Sequence, residues 1–273
     1  MIRHSHGDDF LLITQHHHAL LSGQLAMRFG AEQFARPEPF DSVMKGISQH
    51  DCGWPLHDDE EPTLNADHLP LHVFEAPIML ATRVWLASAL LADKLLDPYS
   101  ALLVSLHVLH LSLIAQEHAA RHTPHELFEV NKFQHRQIEL QEKLRNKLGL
   151  RIDLPLHHGV AAPGASAEED RLLFNLRLLQ AMDRLSLAVC CSEELFRAID
   201  LLPAPGGVPM ALRVSRPAPF AVRLDPWPFH APRIELEVPC RRVPAKRYDD
   251  EAQFRQVYFK APCNTVMVSV CAA

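Results

Sequence analysis

The chain has 273 residues, 48% of them hydrophobic and 22% charged, which is enough apolar material for a large buried core and argues against a disordered segment. A formal net charge of −6 and a sequence pI near 6.3 exclude the basic footprint with which a nucleic-acid binder neutralises phosphates. The first nine residues lack the basic start and apolar run of a secretory signal. The longest apolar stretches, 76–92 and 101–115, are interrupted by Arg83 and by Ser105, His107 and His110, so a cytoplasmic protein with no membrane partner is expected.

In chain order, residues 15–29 place Ala19, Leu20, Leu25, Ala26 and Phe29 on a helical face, with Gly30 as the stop. A second helix is predicted over 40–51 from Val43, Met44 and Ile47, ended by Gly53 and Pro55, which puts His50 and Asp51 in its last turn. Residues 56–72 are acidic and aperiodic and read as a long loop able to cover a site. Helices follow over 74–91, over 98–118 with the Asp97-Pro98 cap and N1 pair, and over 123–148 with Pro124 at its start and Gly149 behind it. The first two are strongly apolar, which permits a homodimer interface; the third is amphipathic. After a connection over 154–166, residues 167–190 return to helical periodicity through Leu172, Leu176, Leu179, Met182 and Leu185.

Beyond Pro203, Pro and Gly punctuate short alternating stretches at 211–214, 234–238 and 265–270. The expected architecture is therefore mainly α: a helical domain over 1–203 with a small β-rich C-terminal element over 204–273 packed on it. The six cysteines form no CxxC pair and suit small buried residues in a reducing compartment.

Histidine is the anomaly, with 18 in the chain, many of them in apolar surroundings. A divalent cation needs imidazole nitrogens and carboxylate oxygens converging at about 2.0 to 2.2 Å, and rigid helices hold such donors well. His18, the adjacent His50 and Asp51, and Asp183 lie far apart in sequence but each at an apolar helix. Asp183, flanked by Leu178, Leu179, Met182, Leu185 and Leu187, must be paired or cation-bound, because an isolated buried charge is expensive; the alternative to a metal is a salt bridge with Arg184 or a neighbouring Arg. His16 and His17 compete with His18 for the first position. On the helix at 98–118, His107 and His110 are three apart, and His107 is the better extra donor.

The segment from Gly46 to Trp54, with His50-Asp51-Cys52-Gly53 at its centre, resembles the signature of the HD-domain superfamily, and Asp183-Arg184-Leu185 resembles that superfamily's closing motif. The chain is also similar, over nearly its whole length, to a bacterial domain-of-unknown-function family sharing Gln-x-x-His-Ala, here Gln15 to Ala19, His-Asp-x-Gly-Trp, Ser-Leu-His at 105–107, Asp-Arg-Leu-Ser-Leu at 183–187 and Asp-Pro-Trp-Pro-Phe at 225–229. The resemblance implies an HD-like helical bundle that binds one or two divalent ions (Fe, Mn, Zn, Ni or Mg) through His18, His50, Asp51 and Asp183, with His107 as an added ligand and Asp51 as the catalytic and bridging carboxylate. It implies metal-dependent hydrolysis of a phosphoester on a small molecule. Trp54 stands where many such hydrolases carry Lys, which removes a phosphate-contacting cation. Two alternatives remain: an HD-like di-iron oxygenase, which the extra imidazole of His107 suits, and a non-catalytic ligand-binding scaffold. His4, His6, His57, His68 and His72 lie in polar or loop segments and are set aside, as are His157 and His158.

Overall fold

A computed structural model describes residues 1–31, 34–117, 122–150, 166–202 and 210–273. It opens with a hairpin, β1 (Ile2–His6) and β2 (Asp9–Ile13), closed by a two-residue turn whose Gly7 takes a φ of 60°. Thr14 then caps α1 (Gln15–Ala26), its Oγ1 accepting the His17 N–H. Next come α2 (Phe40–Ser48), the single turn α3 (Pro55–Asp58), α4 (Ile78–Leu95) and α5 (Pro98–Glu117). Reciprocal capping boxes, Thr123 with Glu126 and Ser166 with Glu169, start α6 (Pro124–Leu148) and α7 (Ala167–Cys190). The remainder is β3 (Ala198–Leu202), β4 (Met210–Ala218), β5 (Ala221–Asp225), β6 (Arg233–Pro244), α8 (Glu251–Lys260) and β7 (Cys263–Ala272).

The expected mainly α bundle with a small β-rich appendage is corrected here. The strands form one mixed, curled seven-stranded sheet in the order β1-β2-β6-β7-β5-β4-β3, and the chain is 51% helix and 22% strand, a helical layer on a sheet. Among the described strands only the β5·β7 pairing is parallel. The N-terminal hairpin is not a polar preamble to the helices; β2 pairs with β6 more than 200 residues away. Both faces of this end of the sheet are buried: Ile2, Leu11 and Ile13 pack into the main core with the helices, whereas Phe10 and Leu12 pack on Phe254 and Tyr258 of α8. A strand buried on both sides shows no period-two alternation, and so carries no strand signal of its own. The 211–214, 234–238 and 265–270 stretches lie within β4, β6 and β7. The proposed division at residues 203 and 204 lies outside the described residues, as do His118, His157 and His158.

Helix ends also shift. α1 stops at Ala26, three residues before Phe29, which pairs instead with Phe229 across an isolated bridge. Pro77 sets the start of α4, four residues later than its periodicity suggests. α5 is apolar all round, and among the described residues it is the one helix long and apolar enough to cross a membrane, with a mean hydropathy of 1.5. Yet 61% of that window is buried inside the protein, where Leu102, Leu103 and Val104 join the main core, as befits a central core helix.

Candidate metal centre

Four chain segments bring the titratable cluster together. His18 lies one turn into α1. His50 and Asp51 lie not in the last turn of α2, which ends at Ser48, but in the turn that follows it. This turn is clamped by Gly53: its N–H donates to Ser88 Oγ of α4 at 2.9 Å, and a Cβ at Gly53 would stand 2.3 Å from the Val84 carbonyl and 2.4 Å from Ser88 N. No side chain fits, which is a physical reason for glycine two residues after Asp51. His107 comes from α5 and Asp183 from α7. His18, His50 and His107 are essentially inaccessible; Asp183, at 8% exposure, is the most accessible of the five and marks the side on which the cluster meets solvent.

The donor atoms converge on Asp183. Its Oδ1 lies 2.9 Å from His18 Nε2 and 3.5 Å from His50 Nε2, and its Oδ2 lies 3.7 Å from His107 Nε2; His50 Nε2 is also 3.7 Å from Asp51 Oδ2. His18, His50 and Asp51 form one group able to hold an ion, and His50, His107 and Asp183 another, with His50 common to both. For bonds of about 2.1 Å, the edges of a coordination polyhedron run from about 3.0 Å (octahedral) to about 3.4 Å (tetrahedral), so these separations suit donors closing on a common cation. The imidazoles stand edge to face, His50 between His18 and His107 at centroid distances of 5.4 and 5.1 Å.

The hydrogen bond on its far ring atom sets the His50 tautomer: Nδ1–H donates to the Ile47 carbonyl at 2.7 Å, which leaves the Nε2 lone pair facing the carboxylates with no hydrogen-bond partner. His18 is held at both ring nitrogens, Nε2 at hydrogen-bond distance, 2.9 Å, from Asp183 Oδ1 and Nδ1 against Ser186 Oγ, whose hydroxyl also reaches the Asp183 carbonyl. Two carboxylates among three imidazoles in a buried site call for a cation or for protons to balance their charge. Without a metal a proton takes that place: burial works to lower the His50 pKa, but the charges of Asp51 and Asp183 overcome it and raise the value to about 9. Burial drives the His107 pKa down to about 3, which keeps this ring neutral and its nitrogens available. Burial also pushes the Asp51 carboxyl up, whereas at Asp183 burial is overcome by the hydrogen bond from His18 and by the nearby His50 and His107 imidazoles, which hold the carboxyl well below its ordinary range.

All five predicted site residues, His18, His50, Asp51, His107 and Asp183, therefore meet, and the donor set of three imidazoles and two carboxylates fits a divalent transition metal. Asp183 pairs with histidines, not with an Arg. His16 and His17 lie outside the cluster; His17 turns back to its cap, Nδ1 on Thr14 Oγ1. The residues missed from sequence are Ser186, Ser22 and Ser88. The hydroxyls of Ser22 and Ser186 meet at 2.8 Å and lock α1 onto α7. The signal for Ser186 was its spacing, three residues after Asp183 on one helix face. Two of the histidines set aside as loop residues are buried: His57 beside Asp58, and His4 stacked on Phe220 with Nδ1–H donating to the Cys190 carbonyl.

A helical layer laid on a mixed sheet, with a buried His and Asp cluster between its helices, thus defines the class as a two-layer α/β protein with a candidate metal centre. The chain belongs to the family described as protein of unknown function DUF3891, whose model matches residues 1–245 and so takes in every cluster residue and the sheet through β6. No curated protein and no solved structure matches the chain.

Proposed function

We propose that this chain is a metal-dependent hydrolase related to the HD type, acting on a phosphoester of a small molecule in the cytoplasm, with His18, His50, Asp51, His107 and Asp183 as the ligands of one or two divalent ions. The observation that carries the reading is the convergence of three imidazoles and two carboxylates in a buried site, a donor set that suits a divalent cation. Six unpaired cysteines suit a reducing compartment.

The chain's own residues divide the work. His18 and His50, each with its Nδ1 held by the protein, present fixed Nε2 atoms and bring two rigid contacts. Asp183 orients against three imidazoles and keeps its negative charge to low pH, so it serves as a permanent anchor. Asp51, whose carboxyl burial makes more basic, is suited to accept the proton of an attacking water. A bound divalent ion supplies the Lewis acidity, polarising a phosphoryl oxygen and acidifying water. Hydrolysis of bis(p-nitrophenyl) phosphate by protein supplied with Mn²⁺ tests the reading. We expect turnover that Asp51→Asn lowers by about 100-fold or more at unchanged fold; no phosphoester hydrolysis by metal-loaded protein would overturn it.

His107 favours a second reading, a mixed-ligand di-iron oxygenase, since a fifth nitrogen or oxygen donor exceeds what hydrolysis needs. Two irons per chain with oxygen consumption, in place of phosphoester turnover, would select it.

A further inference from the structure

Among the buried side-chain atoms with no hydrogen-bond partner, four belong to residues in the metal cluster or within one helical turn of it: Gln15, His16, His50 and His107. His50 Nε2 faces the carboxylates, and the unpartnered Nδ1 atoms of His16 and His107 belong to rings that can carry their proton on the other nitrogen. Gln15 has no such explanation. It is 2% exposed, its Nε2 is buried and unpartnered, and an orphaned buried donor costs on the order of 1 to 3 kcal/mol if nothing ever takes its hydrogens.

Its position says what takes them. Gln15 precedes His18 by three residues, so the two share a face of α1, and because helical side chains lean toward the N-terminus the His18 ring lies over the turn that Gln15 begins. The Gln15 backbone N–H is pinned at 2.8 Å by Asp58 Oδ2, which fixes the start of α1 and with it the position of the Gln15 side chain on the His18 face. Among the described residues no Lys or Arg forms an ion pair with Asp51 or Asp183, so no cationic side chain pairs with the centre.

We infer that Gln15 is a substrate-binding residue whose carboxamide N–H donates to an oxygen of an oxyanion bound beside the metal, a role that rests on the metal-centre reading above. With two carboxylates offsetting a divalent ion and a neutral amide as the added donor, the site suits a singly charged phosphodiester oxygen better than a doubly charged monoester.

The test uses full-length protein loaded with Mn²⁺ and dimethyl phosphate as the probe, read by paramagnetic enhancement of its ³¹P relaxation, with metal content and thermal transition measured on the same samples. Gln15→Met keeps the length and removes the donors; it should retain metal and transition and bind the probe at least about tenfold more weakly than wild type. Gln15→Glu, near-isosteric, should lose the probe by charge repulsion and keeps the test decisive if the Met variant fails to fold. Equal probe binding by wild type and both variants, or none by metal-loaded wild type, overturns the role of Gln15 and leaves the metal centre standing. A wild type that takes up no Mn²⁺ instead removes the metal centre, and the role of Gln15 with it.

Discussion

Two His-Asp dipeptides stand seven residues apart, His50-Asp51 and His57-Asp58, and both are buried, yet they do opposite things. Around Asp58 every charge is answered. Oδ1 accepts from the Met1 ammonium at 2.9 Å and from His57 Nδ1–H at 2.8 Å, Oδ2 accepts the Gln15 N–H, and His57 Nε2 meets Thr63 Oγ1 at 2.9 Å. Burial alone would raise the Asp58 pKa, but the Met1 ammonium and His57 bring it below its ordinary value. Around Asp51 two carboxylates converge on three imidazoles, with no cationic side chain of the described residues among them, and His50 Nε2 has no hydrogen-bond partner. The difference teaches that burial of a His-Asp pair marks nothing by itself: a saturated pair is scaffold, and an unsaturated one is a place where a ligand completes the chemistry.

The sharpest way to break that comparison is to remove each carboxylate in turn. Asp58→Ala strands the ammonium, an imidazole and a helix-starting N–H in the interior and should cost on the order of 3 to 5 kcal/mol in denaturant unfolding, while the molecules that still fold keep their metal. Asp183→Asn keeps the side-chain shape but takes one of the two carboxylates from the His50 proton, so it should cost the metal-free protein on the order of 1 to 3 kcal/mol and abolish metal uptake. If the two variants behaved alike, the distinction between scaffold and site would collapse. Gly53→Ala comes next: a Cβ 2.3 Å from the Val84 carbonyl must push α4 away from the His50-Asp51 turn, and about 1 to 3 kcal/mol of destabilisation with weakened metal binding is expected.

Smaller effects sharpen the account. Ser186→Ala removes the hydroxyl that meets His18 Nδ1, so the ring is no longer held; metal affinity measured by competition with a chelator should fall about 10-fold or more, with little change in unfolding. The smallest effect is on pH. His4 and His72 both have pKa values lowered by burial, His72 to about 4, further depressed by Arg216 near His4 and by the Met1 ammonium near His72. With folded-state values below the unfolded value of about 6.5, both are neutral in either state above that pH, and the unfolded chain takes up protons first as pH falls. The thermal transition of the metal-loaded protein should therefore drift down between about pH 6.5 and 4, and substituting His72 by Gln should flatten the drift.

What the sequence made legible follows from local physics. The capped, periodic helices were readable: α7 falls on its predicted span, and α6 differs only in that Thr123 is its cap. That Asp183 needs a counter-charge was legible from the leucines around it, and the motif resemblance singled out His18, His50, Asp51 and His107 as residues that come to meet it. The sheet was not, because its N-terminal hairpin mixes His4, His6 and Asp9 with residues buried on both faces and pairs across most of the chain. Nor could sequence separate His50-Asp51 from His57-Asp58, since saturation depends on Met1, Gln15 and Thr63, partners that only folding brings to Asp58 and His57.

The most direct test of the account is elemental analysis of wild-type, Asp183→Asn and Asp58→Asn protein purified without chelator or affinity tag and supplied with Mn, Fe and Zn. Near-stoichiometric metal in the wild type and in folded Asp58→Asn, with none in Asp183→Asn, is the predicted result. Metal absent from the wild type, or retained when Asp183 is replaced, would contradict it.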